Sequence, residues 1–123
     1  MIIRDYRDLE VWQLAMDLAE AVYLLTRTFP KAEEYRIISQ LLRAATSVPA
    51  NIAEGNARSG RRDYARFVSI ARGSLAETET LLMLARRVRL SLPESIDAVL
   101  AQADRVGRML NGLHRSLVDP IPD

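Results

Sequence analysis

Four arginines, Arg58, Arg61, Arg62 and Arg66, crowd around Tyr64 within nine residues of this 123-residue chain. A guanidinium is planar, always charged and able to hold a phosphate through two parallel N–H···O bonds, so such a cluster suits a nucleic-acid backbone. Backbone amides at the start of a helix there would add further donors. The same residues also fit an ordinary solvated helix start, since Asp63 sits among them and exposed arginines are common. Sixteen of the seventeen basic residues are arginine, a ratio that an arginine-rich coding bias explains as readily as selection for phosphate forks.

Net charge does not decide between these readings, because 17 basic and 16 acidic residues leave only +1. Its distribution is more informative: residues 1–57 carry −2, residues 58–89 carry +5 and residues 90–123 carry −2. The positive excess therefore lies in the turn before the third predicted helix and along that helix.

A second polar set comprises Arg43, Asn51 and Glu54, with Glu77 as a further candidate member. The first three fall on one line of a helix together with Arg36, Gln40, Ser47 and Arg58. Three roles fit them: a solvated face, a direct contact with RNA or protein, or a structural network that fixes oligomer register. In the network, Glu54 would accept from Arg58 four residues on or from a neighbouring chain, and Asn51 would bond carbonyls freed by Pro49.

Residues for catalysis are sparse. The lone histidine, His114, fits a surface or helix-end position better than a general base. There is no Glu-x-x-His pair for a di-metal site in a helical bundle, and no cysteine for a thiolate nucleophile, a disulfide or a zinc-thiolate site. Glu77 and Glu79 are two apart and point in different directions on a helix, while Asp17 and Glu20 fit an exposed stripe. A non-enzymatic protein with no metal and no cofactor is expected. The charged N-terminus does not suit a signal peptide, and the most apolar run, Leu81 to Ala85, stops at Arg86 and Arg87, far short of a membrane span of ~20 residues. A cytoplasmic protein without a membrane segment is expected.

The elements that must position these groups are helices, because apolar residues recur every three or four positions almost throughout and strand signals are nearly absent. Four are predicted, at about 9–28, 34–57, 61–88 and 92–117, in a single domain covering 1–123. The first is apolar around most of its circumference, which points to a contact beyond its own core. Trp12, beside Val11 and Ala15, is read as packing in the core or an interface. The second helix continues its apolar phase through Pro49, which predicts one kinked rod, although an interior proline costs about 3 kcal/mol. Gly73, inside the third, costs about 1 kcal/mol relative to alanine, for which close approach of a neighbouring backbone would compensate. Ser91 to Glu94 has the spacing of a capping box with proline in the first turn. Short connections then predict an all-α fold, an antiparallel up-down-up-down left-handed four-helix bundle.

The blocks Asp8-Leu9-Glu10-Val11-Trp12-Gln13, Phe29-Pro30, Gln40 to Ala45, Ser47-Val48-Pro49-Ala50-Asn51-Ile52-Ala53-Glu54-Gly55 and Ile70 to Glu77 carry a resemblance along nearly the whole chain. In their order and spacing it resembles the bacterial four-helix bundle family called the intervening-sequence or S23-type family. Genes of that family occur inside insertions of large-subunit ribosomal RNA, and it includes accessory proteins of diversity-generating retroelements. The resemblance implies a homo-oligomer, typically a pentamer, without enzymatic activity. It also implies nucleic-acid binding or partnership with a reverse transcriptase as the leading roles. The near-neutral balance departs from the strongly basic retroelement members. Two functions are thus expected: binding of structured RNA or an RNA–DNA hybrid through the arginine cluster, or a protein interaction scaffold without nucleic-acid contact.

Overall fold

The computed structural model describes residues 4–119. Helix α1 spans Glu10–Thr26, α2 Ser39–Asn56, α3 Arg61–Arg87 and α4 Pro93–Val118, and there is no strand among the described residues. Short 3-10 turns at Tyr6–Asp8 and Lys31–Glu33 precede α1 and follow it.

Cross-helix contacts fix the arrangement. Ser47 pairs with Ser74, and Gly55 faces Phe67 and Tyr64, so α2 and α3 run antiparallel. Between α3 and α4 three rungs keep one antiparallel register: Ser69 to His114, Arg72 to Asn111 and Arg86 to Asp97. Thr28 meets Ser91 where α1 has ended and α4 is about to begin, and Arg105, midway along α4, reaches Glu10 at the start of α1. Each helix thus packs on its sequence neighbours, and α4 closes on α1. The shared core is drawn from all four, with Leu18, Leu41, Ile52, Leu82, Ile96 and Leu110 fully buried. Its one fully buried polar side chain, Thr78, donates to the Ser74 carbonyl, and no buried side-chain nitrogen or oxygen lacks a partner among the described residues.

Helix α2 begins later than expected. Glu34–Ile38 forms a π-type turn in which Tyr35 and Arg36 leave helical geometry, Arg36 at φ −118° and ψ −113°, before the regular helix starts at Ser39. Ile37 remains buried beside this break, so the apolar phase that predicted a helix from 34 runs across it. From Ser39 to Asn56 the helix is unbroken through Pro49, which is buried.

Gly55 explains the close approach of α2 to α3. A β-carbon there would lie 2.8 Å from Phe67 Cβ and 3.2 Å from the Tyr64 carbonyl oxygen. Gly73 is the opposite case and corrects the expectation of a backbone neighbour, since beyond its chain neighbours and its own helix backbone no atom of the described residues lies within 4 Å of a β-carbon placed on it.

The helix ends show how local chemistry is satisfied. α3 stops with Arg89 at φ 59°, its N–H bonding the Arg86 carbonyl and the Leu90 N–H reaching Ala85, a Schellman arrangement that serves the last carbonyls. The capping box expected at the start of α4 does not form. Leu92 occupies the cap position without a side-chain bond, while the Ser91 hydroxyl is engaged with Thr28. Proline does stand in the first turn, at Pro93. No helix among the described residues is long and apolar enough to cross a membrane.

Candidate functional site

The α2–α3 turn brings Arg58, Arg61, Arg62 and Arg66 to one end of the bundle, yet three of them are occupied within the chain. Arg58 and Arg66 lie over the Phe67 ring at 4.9 and 4.5 Å from its centre. They also pair with Glu54 at 3.2 Å and Asp63 at 3.3 Å. Arg61 turns towards α4 and donates to the Ser116 carbonyl at 2.5 Å, placing its charge at a helix C-terminus where unpaired carbonyls favour a cation. Arg62 alone of the four is without an intrachain partner among the described residues. It borders a shallow concavity with Ser59, Gly60, Asp63 and Arg66, where α3 begins without a side-chain cap.

The polar line does not form one network. The Asn51 amide donates to the Ser47 carbonyl at 2.8 Å and to its hydroxyl at 2.9 Å. The carbonyl that loses its helical donor to Pro49 is that of Ala45, so the amide serves a neighbouring group. Ser47 continues to Ser74 at 2.8 Å, making a short polar ladder across the α2–α3 seam. Glu54 is bound to Arg58, as its spacing suggested. Arg43 and Glu77 are exposed and, by the register that pairs Ser47 with Ser74, stand opposite one another. They form no ion pair within 4.0 Å among the described residues.

His114 shares a hydrogen bond with Ser69 at 3.0 Å, and among the described residues no carboxylate bonds its ring. Nor do these residues bring three or more His, Cys, Asp or Glu side chains together as metal ligands. Two carboxyls on this side of the bundle depart from their ordinary range in opposite directions. Hydrogen bonding from Arg86 lowers Asp97, whereas burial, reinforced by the Asp104 charge, raises Glu79.

A larger concavity than the one beside Arg62 lies elsewhere, between α1 and α2. It is an open groove of about 1070 Å³ into which α1 sends Trp12, Met16 and Tyr23, while Pro49, Ala50 and Ala53 line the α2 side. Met16 and Tyr23 are each 45% exposed and Leu24 53%. Asp17 and Glu20 edge the groove on α1. Tyr6 closes one end, stacked edge-on against Trp12 with ring centres 5.3 Å apart. Small side chains on α2 leave the space that large ones on α1 only half fill. The apolar circumference of α1 carried this signal, but Pro49 and Ala50 read as a helix-bending problem rather than as groove lining.

Comparison with known proteins agrees with this architecture. A solved structure of a protein of unknown function from the S23 ribosomal protein family of Bacteroides thetaiotaomicron superposes with a TM-score of 0.80 at 24% identity, covering 85% of this chain and 98% of that one. No curated protein matches the chain. The sequence model of the 23S rRNA-intervening sequence protein family matches residues 7–112, a span that includes α1, α2, α3 and most of α4, and the chain belongs to that family.

Proposed function

We propose that this protein is a non-enzymatic assembly scaffold whose copies associate through the α1–α2 groove. One observation carries the reading: α1 keeps large apolar side chains half in water beside an α2 floor of proline and alanine. Contiguous apolar surface of this kind marks an interface, and covering it gains roughly 25 cal/mol per Å². The homo-oligomer implied by the family resemblance fits the same face. Light scattering tests the idea, with wild-type protein expected at a multiple of the 13.9 kDa chain mass and Met16→Asp expected at the single-chain mass. A wild-type protein that stays single at micromolar concentration would refute it.

A second reading is favoured by Arg62 and the uncapped start of α3, which together offer donors to a phosphate. Nucleic-acid binding there would weaken with salt, log K falling by roughly 0.7–0.9 per log unit of salt for each phosphate contacted. Because Arg58, Arg61 and Arg66 already have partners, Arg62→Glu is expected to weaken binding more than Arg66→Glu. Affinity for structured RNA that ignores both salt and Arg62→Glu would remove this reading.

A further inference from the structure

The α3–α4 seam is a polar ladder with a gap in it. Ser69 meets His114, Arg72 meets Asn111 and Arg86 meets Asp97. In the register that these rungs share, Ala76 falls opposite Gly107 and Glu79 opposite Asp104. Neither Ala76 nor Gly107 can bridge the two helices, and Gly73, just before them on α3, has no side chain either. An open pocket of about 390 Å³ results, with Ser69, Arg72, Gly73, Glu79, Gly107 and Asn111 on its walls, within the size range of small-molecule sites. Gly107 has a packing reason, since a β-carbon there would lie 3.2 Å from Leu75 Cδ2. Gly73 meets only open space, although glycine is among the poorest helix formers. A larger residue there would begin to fill the pocket.

The two ends of the pocket carry opposite charge. At one end Arg72 Nε donates to Asn111 Oδ1 at 3.0 Å, which holds the guanidinium in place. Its terminal nitrogens and the Asn111 amide remain as donors without partners among the described residues. Exposed Arg115 and the Asp63-bound Arg66 lie just beyond, on the same positive end. At the other end Glu79 is half-buried and makes no hydrogen bond or ion pair among the described residues. Asp104 opposite it is bound by Arg108 at 3.2 Å, and Arg86 and Asp97 neutralise one another further along. Arg105 is drawn to Glu10 on α1, and Glu77 stands on the α2 side opposite Arg43. Glu79 is thus the carboxylate on this seam left without a cation.

We propose that the pocket binds a small zwitterion, an ω-ammonium carboxylate whose carboxylate lies between Arg72 and Asn111 and whose ammonium lies against Glu79. A guanidinium beside a carboxamide suits a carboxylate, which accepts parallel hydrogen bonds. Arg72 and Glu79 stand two turns apart on α3, about 10 Å at ~1.5 Å per residue, so the ligand needs several carbons between its charges. Burial and the Asp104 charge make Glu79 hold its proton more tightly than usual, and an ammonium beside it would offset both.

Saturation-transfer NMR on the full chain tests this, because it reads weak binding whatever the mass of the assembly. The probe is ε-aminocaproate, with caproate, hexylamine and glycine as controls. Wild-type protein is expected to bind the probe about tenfold more tightly than any control, the effect of one hydrogen bond to a charged group. Arg72→Gln should remove the advantage over hexylamine, and Glu79→Gln the advantage over caproate. Glu79→Gln relieves a half-buried charge and so keeps the fold. Gly73→Leu fills the pocket from an exposed helix position, and should abolish binding with unchanged helix content by circular dichroism. No detectable binding, or a probe held no more tightly than caproate or hexylamine, would overturn the proposal. So would a tenfold advantage that survives either Glu79→Gln or Gly73→Leu.

Discussion

At the scale of single residues, two glycines separate what the bundle needs from what it leaves unexplained. Gly55 lets α2 reach α3, and an added methyl group would have to displace Phe67 and Tyr64. Gly55→Ala is therefore expected to cost about 1–3 kcal/mol, the usual range for overpacking, read from urea denaturation midpoints. Gly73 meets no such wall, which makes it a surface feature. Arg89 is the reverse of a needed glycine, holding a positive φ that a β-carbon disfavours. Arg89→Gly should stabilise the protein by about 1 kcal/mol, seen as a higher denaturation midpoint. The arginine cluster shows why residue type alone misleads. Spacing predicted four cations near Tyr64, but Phe67, Glu54, Asp63 and the α4 carbonyls claim three of them.

At the scale of elements, apolar phase made α1, α3 and α4 legible to within two residues at each end, because each buries a stripe with helical period. The break at Tyr35 and Arg36 was not legible. Ile37 and Ile38 keep the phase across it, and deviant dihedrals leave no mark on a hydrophobic pattern. The capping box failed for a related reason, since Thr28, 63 residues away in sequence, takes the Ser91 hydroxyl that local spacing assigned to the cap. The α3–α4 seam makes a pH prediction with two opposite signs. Asp97, lowered by its bonds to Arg86, adds stability above its ordinary value of 3.8 that is lost as pH falls through the depressed folded value. Glu79, raised by burial, holds its proton better in the folded state, so its ionised form weakens the fold as pH rises through the raised value. Glu79→Gln should therefore raise the melting temperature at neutral pH. The gain should fade as pH falls through the raised value and be gone below the ordinary carboxyl value of 4.5. Melting curves across that range check both the sign and the window.

At the scale of the whole molecule, four helices bury a common core and still leave an apolar surface in water, the α1–α2 groove. The family's signature stretch serves both demands. Val48 and Ile52 face the core, Gly55 admits α3, and Pro49, Ala50 and Ala53 shape the groove. That division explains an interior proline more fully than a bend does: a ring without a long side chain, buried on one flank and bordering the groove, keeps the helix whole and the groove wide. Legibility ends at this scale, because a groove exists only once two helices are set side by side, and neither helix alone encodes its width. The most direct test of the groove as an assembly face is the solution mass of wild-type and Met16→Asp protein, measured by light scattering over the same dilution series. A multiple of 13.9 kDa for the wild type that falls to 13.9 kDa in the variant is the predicted result. Equal masses for the two proteins, whether single or assembled, would contradict it.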